Sequence, residues 1–135
     1  MVHRMIENVL AQDAWAALQV QPNAVLCDVR TEQEWRTVGV PELASIGKQT
    51  VFASWALAPA MQPNAGFLDE LAAAGLKHDD HVYFICRSGA RSAAAAEAAL
   101  AAGYLHVFNV AEGFEGRPGA YLGWIRQGLP ARQPG

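Results

Sequence analysis

Cysteine appears only twice in the 135 residues, at Cys27 and Cys86. Two cysteines cannot build the framework of a disulfide-stapled domain, and in a cytosol both are thiols at rest. Basic charge is also scarce. Ten Lys and Arg stand against thirteen Asp and Glu, for a formal net charge of −3. A nucleic-acid surface shows a basic patch; here the basic residues are scattered, and the only tight pair is Arg87 with Arg91. Long apolar runs are missing too: "SAAAAEAALAAGYL" is shorter than a membrane span and contains Glu97. The opening "MVHRMIENVL" is too polar and too brief for a secretory signal. Four histidines, His3, His78, His81 and His106, fall at element ends without the spacing of a metal set, and "KHDDH" reads as a solvated turn. The expectation is a cytoplasmic protein with no metal, no organic cofactor, no nucleic-acid partner and no membrane partner.

What is present is apolar and ordered. At 52% hydrophobic and 17% charged residues the chain can fill a core. Its length suits one domain over residues 1–135, with a Pro/Gly tail at about 128–135 expected to fray. Strand and helix patterns alternate, which predicts an α/β fold with a central parallel sheet of about five strands flanked by helices on both faces. "RMIENVL", "AVLCDV", "TVFASW", "HVYFIC" and "HVFNV" read as strands. "QDAWAALQV", "TEQEW", "AGFLDELAAAGL", "SAAAAEAALAAG" and "GAYLGWIRQG" read as helices. Thr31 and Glu34 fit a capping box, in which each side chain takes an orphan amide at the other's backbone. "LAPAMQPN" reads as a mobile Pro-rich loop.

The chemistry gathers at "FICRSGARS". In an open parallel sheet, ligands bind at the carboxyl ends of strands, and Cys86 closes the clearest buried strand. "RSGA" then makes a short loop, with Gly89 free to take a backbone shape that other residues avoid. A helix follows from about Arg91 or Ser92. Such a loop turns successive amides inward as an anion nest, and the helix adds its positive dipole end. Arg87 and Arg91 flank the sulfur, so the expected form is a thiolate of lowered pKa. The alanines let the helix pack close to the sheet and aim its first turn at Cys86.

This loop resembles that of rhodanese-domain sulfurtransferases. "CRSGARS", Cys86 to Ser92, has the form of many single-domain members. "VLCDVRTEQEW", Val25 to Trp35, is similar to the family's strand-Asp-x-Arg segment, and "NVAEGFEG…GWIRQGLP", Asn109 to Pro130, to its Gly-rich turn and Trp-containing helix. The resemblance implies a single-domain rhodanese fold and transfer of sulfane sulfur. Cys86 would attack a donor such as thiosulfate and carry the sulfur as a persulfide, held by the amides of residues 87 to 91. It would pass the sulfur to cyanide in an assay, or to a cellular thiol, a protein thiol included. Related phosphatases and arsenate reductases carry a loop one residue longer between cysteine and arginine. The four residues Arg87, Ser88, Gly89 and Ala90 make a smaller ring that suits sulfur. A redox-sensing or non-catalytic binding module is the alternative of another class.

Around this centre, Ser88 and Ser92 offer hydroxyls near the sulfur, Arg87 faces the pocket mouth, and Arg91 braces the loop. Asp28, Arg30 and Glu34 read as a supporting trio, with Arg30 and Glu34 spaced to pair. Trp35 and Trp55 are candidate pocket walls. Cys27 reads as a core thiol rather than a resolving partner. "VGVPELASIG", Val38 to Gly47, keeps Gly39 and Pro41 but lacks the histidine common in the family there, a change that bears on substrate choice.

Overall fold

The computed structural model describes residues 5–133. In chain order it contains β1 (Glu7–Val9), α1 (Ala11–Val20), β2 (Ala24–Asp28), α2 (Glu32–Thr37) and β3 (Val40–Pro41). A 3-10 turn at Ala44–Ile46 leads to β4 (Val51–Phe52), β5 (Ala56–Leu57), β6 (Gln62–Pro63) and α3 (Phe67–Ala73). Then follow β7 (His81–Ile85), α4 (Ala90–Ala101), β8 (His106–Val110), α5 (Gly123–Arg126) and β9 (Ala131–Arg132).

Five strands form one all-parallel sheet in the order β1-β8-β7-β2-β4. β7 is central, with Phe84 level with Cys27 of β2 and Asn109 of β8. The helices divide between the two faces, as the alternation of strand and helix requires. On one face Val82, Phe84 and Cys86 pack with Cys27, with Phe67 and Leu71 of α3, and with Ala95, Ala96 and Ala99 of α4. On the other, Tyr83 and Ile85 pack with Leu26, with Ala11, Ala14 and Leu18 of α1, and with Trp124 of α5. The three α4 alanines are fully buried, and so small a surface lets the helix approach the sheet closely. No helix among the described residues is long and apolar enough to cross a membrane.

Four segments differ from the sequence expectation. "TVFASW" pairs as a strand only at Val51–Phe52. Beyond it, the amides of Ala53 and Trp55 reach the carbonyls of Asp28 and Val29 as the chain turns off the sheet edge. The Pro-rich loop is an antiparallel hairpin, Ala56–Leu57 against Gln62–Pro63. The terminal helix keeps only Gly123–Arg126, because Gly119, Gly123 and Gly128 all take positive φ and break the run. In the segment read as a frayed tail, Ala131 and Arg132 pair with Pro41 and Val40. The Trp124 indole N–H donates to the Pro130 carbonyl at 2.7 Å.

Candidate active site

Cys86 lies just past the carboxyl end of the central strand and is 1% exposed. Its loop is suspended by its carbonyls. The Cys86 carbonyl accepts from the Phe114 amide at 2.7 Å, and that of Arg87 from the Glu115 amide at 3.0 Å. The Ser88 carbonyl accepts from Arg117 Nε at 3.0 Å and that of Gly89 from Asn109 Nδ2 at 3.2 Å. Four successive carbonyls are thus drawn outward onto residues 109–117. A loop whose carbonyls face out turns amides in, and the Gly89 amide donates to Cys86 Sγ at 3.2 Å. Gly89 has φ +108, and a Cβ there would meet the Ala111 carbonyl oxygen at 2.4 Å, so the position requires glycine. The α4 helix begins at Ala90, and the amides of its first turn lack helical acceptors by construction. Ser92, fully buried, places its hydroxyl oxygen 3.2 Å from the same sulfur.

The two arginines divide their roles. Arg91 is clamped by Glu34: Nη1 donates to Oε1 at 2.7 Å and Nη2 to Oε2 at 3.0 Å. Glu34 also completes the expected capping box, accepting from the Thr31 amide at 3.1 Å while its own amide donates to Thr31 Oγ1. One carboxylate therefore caps α2 and ties it to the first turn of α4. Burial pushes the Glu34 carboxyl up, but the bonds from Arg91 and Thr31 outweigh it and bring it to about 2 from an ordinary 4.5. A carboxyl lowered on folding adds stability that is full above the unfolded value and lost as the pH falls through the folded one. Glu34→Gln is therefore expected to lower unfolding stability at neutral pH by on the order of 1–3 kcal/mol. The gap from the parent should close between pH 4.5 and about 2 in a urea-melt series. Arg87 is free of the loop, with its side chain 66% exposed and Nε 3.5 Å from Glu115.

The supporting trio is wired differently from the sequence expectation. Arg30 does not pair with Glu34. It pairs with Asp28, with Nη2 2.8 Å from Oδ2 and both residues fully buried. Thr31 caps α2, so Arg30 precedes the helix and the four-residue spacing does not put it on the Glu34 face. Instead Arg30 crosses beneath the site. Nη2 also donates to the Gly39 carbonyl at 2.8 Å, and the guanidinium lies 4.3 Å over the Phe114 ring. Arg30 thus braces the residue whose amide holds the Cys86 carbonyl. Through Gly39 it also anchors the segment 38–47.

Trp35 and Trp55 part company. Trp35 lines a cleft of about 690 Å³ between α2 and the β5–β6 hairpin, with Thr31, Phe52, Ser54 and Asn64. Trp55 does not line it; it turns toward the core and meets Phe67 edge-on at 5.2 Å. Cys27 is fully buried on the same sheet face as Cys86. Burial, then the charges of Asp28 and Glu70, push its thiol well above the ordinary value, which keeps it neutral and inert.

Sequence reading missed the residues that hold the loop from behind: Asn109, Gly113, Phe114 and Arg117. It also missed Glu112, which is 5% exposed and accepts from the amides of Ala11 at 2.7 Å and Gly123 at 3.3 Å. Its carboxylate joins α1 and α5 to the end of β8. The signals were the glycines of "NVAEGFEG" and its likeness to the family's Gly-rich turn, and neither says which groups reach the cysteine loop.

Residues 6–135 match the family described as the STR4 middle domain. The chain belongs to this rhodanese-like family. A crystal structure of Rv0390 from M. tuberculosis shares 42% identity with this rhodanese-like domain at a TM-score of 0.86, covering 96% of this chain and 98% of that one. The Rickettsia prowazekii protein RP600, of uncharacterized function, is 36% identical over 93% of this chain and 97% of its own length. Rhodanese-like domain-containing protein 4 of Arabidopsis thaliana chloroplasts is 27% identical, and the match takes in 25% of that longer protein. The same fold recurs in the polysulfide-sulfur transferase homodimer of Wolinella succinogenes, with a TM-score of 0.72 and 24% identity over 95% of this chain and 79% of that one.

Proposed function

We propose that this rhodanese-like domain is a sulfurtransferase that carries sulfane sulfur on Cys86. The observation that supports it most is the suspended loop: four carbonyls tied outward, with the Gly89 amide on the sulfur. Amide donors fixed in place cost no reorganisation when negative charge arrives, so the same cradle serves a thiolate and a persulfide. In the first step the Cys86 thiolate attacks the outer sulfur of thiosulfate. A bond forms between the two sulfurs, and sulfite departs with the electron pair of the bond that breaks. In the second, cyanide or a thiolate attacks the terminal sulfur of the persulfide and Cys86 leaves as thiolate. The two half-reactions make a double displacement and need no metal or organic cofactor. Exposed Arg87 gives an anionic donor a positive charge at the mouth. Arg91, held by Glu34, braces the loop.

The test is an intact-mass measurement after incubation with thiosulfate. The expected result is the gain of one sulfur atom on Cys86, removed by cyanide and absent in Cys86→Ser. A chain that gains no sulfur but turns over an aryl phosphate would overturn the proposal in favour of a phosphatase. Reversible oxidation of Cys86 with neither activity would overturn it in favour of a redox sensor.

A further inference from the structure

The Ser92 hydroxyl carries one hydrogen, and two acceptors compete for it. Cys86 Sγ lies 3.2 Å away on one side, and Asn109 Oδ1 lies closer on the other. The facing of the Asn109 amide is fixed by its neighbours. Its nitrogen reaches the Gly89 carbonyl at 3.2 Å and Asn8 Oδ1 at 3.0 Å. A backbone carbonyl only accepts, so the NH₂ group faces Gly89 and the amide oxygen faces Ser92. An amide oxygen cannot donate. The Ser92 hydrogen is therefore committed to Asn109, and what Ser92 offers the sulfur is a lone pair.

That arrangement suits a thiol, whose S–H completes a chain from Cys86 to Ser92 to Asn109. It opposes a thiolate, which would face oxygen lone pairs. To serve the anion the Ser92 hydroxyl must swing to the sulfur. Asn109, 3% exposed, then loses the donor to its oxygen. We propose that Asn109 is a positioning residue that acts on Cys86 through Ser92: it holds the hydroxyl hydrogen off the sulfur and stabilises the resting thiol. The significance rests on Cys86 being the sulfur-carrying nucleophile. Such a residue would guard an unloaded cysteine, and ionisation would wait on the turn of one hydroxyl. Once sulfur is bound, the charge sits on the outer atom and the hydrogen returns to Asn109. The charged groups near the loop are Arg91 with Glu34, Arg87 with Glu115 and Asp28 with Arg30, each paired, then Arg117, whose Nε is held by the Ser88 carbonyl, and Glu112 behind the loop, held by the amides of Ala11 and Gly123.

The experiment follows the rate of Cys86 alkylation by iodoacetamide across pH, with peptide mapping to separate Cys27. Asn109→Ala is expected to move the profile to lower pH, with alkylation on its acid side about three- to tenfold faster. In a Ser92→Ala background no hydroxyl remains to redirect, and the same substitution removes only the tie from Nδ2 to the Gly89 carbonyl, so the profile is expected not to move to lower pH. An equal shift in both backgrounds overturns the proposal, as does an Asn109→Ala profile that stays put or moves to higher pH. Where Asn109→Ala does not fold, the parent protein decides by NMR. The Asn109 side-chain amide signals should shift over the pH range in which Cys86 becomes reactive, and Ser92→Ala should abolish that shift; signals flat throughout overturn the proposal. Iodoacetamide reads the thiol without a sulfur donor, so this can fail while sulfur loading succeeds, and the reverse.

Discussion

Gly113→Ala is expected to leave Cys86 in the chain yet about a hundredfold slower to take sulfur from thiosulfate. Gly113 has φ +70, and a Cβ there would stand 2.2 Å from the Arg87 carbonyl oxygen and 2.6 Å from the Ser88 nitrogen. Both are backbone atoms of the cysteine loop, so no side chain can swing aside. Relief requires the loop or the turn behind it to move by about 1 Å, and a displacement of that size at a reacting centre costs on the order of a hundredfold in rate. The Arg87 and Cys86 carbonyls are held by the two residues that follow Gly113 by one and two positions, so the clash falls on the bonds that turn the loop amides inward. A time course of intact mass with thiosulfate measures the loss. Gly75→Ala is the control: φ is +90 with nothing within 4 Å, so it carries backbone strain of about 1–2 kcal/mol and should load sulfur normally.

Arg30→Met is expected to cost about 3–5 kcal/mol of unfolding free energy, because it strands the Asp28 carboxylate in a fully buried site. Against a total of roughly 5–15 kcal/mol for a domain, that is a large fraction. Asp28 accepts three further contacts from the same residue, the Arg30 amide at 3.0 Å and Nε at 3.1 and 3.2 Å, and Arg30→Met leaves only the amide. The double variant Asp28→Asn with Arg30→Met removes the stranded charge and should recover part of the loss. Urea melts of the parent and of both variants test this. A single variant as stable as its parent would contradict the role of Arg30 as the brace beneath the loop.

The sequence was most legible where the physics is local. The apolar run of β7 ending at Cys86, the alanine helix after it and the Thr31–Glu34 capping box each depend on residues within a few positions of one another. The five-strand parallel sheet followed from the alternation of strand and helix. What stayed hidden is non-local. Nothing near Glu34 says that its partner is Arg91, 57 residues away. Nothing in "NVAEGFEG" says that its amides and Asn109 hold the carbonyls of residues 86–89. The Arg30 error shows the limit of spacing rules: four residues apart means one face only when both lie inside the helix. Glycine misled at the C-terminal end, where "GAYLGWIRQG" has helical composition but positive-φ glycines at 119, 123 and 128.

The strand order also sets a schedule for synthesis. Cys86 emerges from the ribosome before β8 and before the residues at 109–117 that suspend its loop. β8 lies between β1 and β7, so the sheet has a vacancy at its second position until residues 106–110 arrive. A nascent chain stopped short of that strand would hold every residue of "CRSGARS" with none of its carbonyls drawn outward. Cys86 is translated early and its loop is suspended late, and the N-terminal strand β1 waits for the same event to find its place.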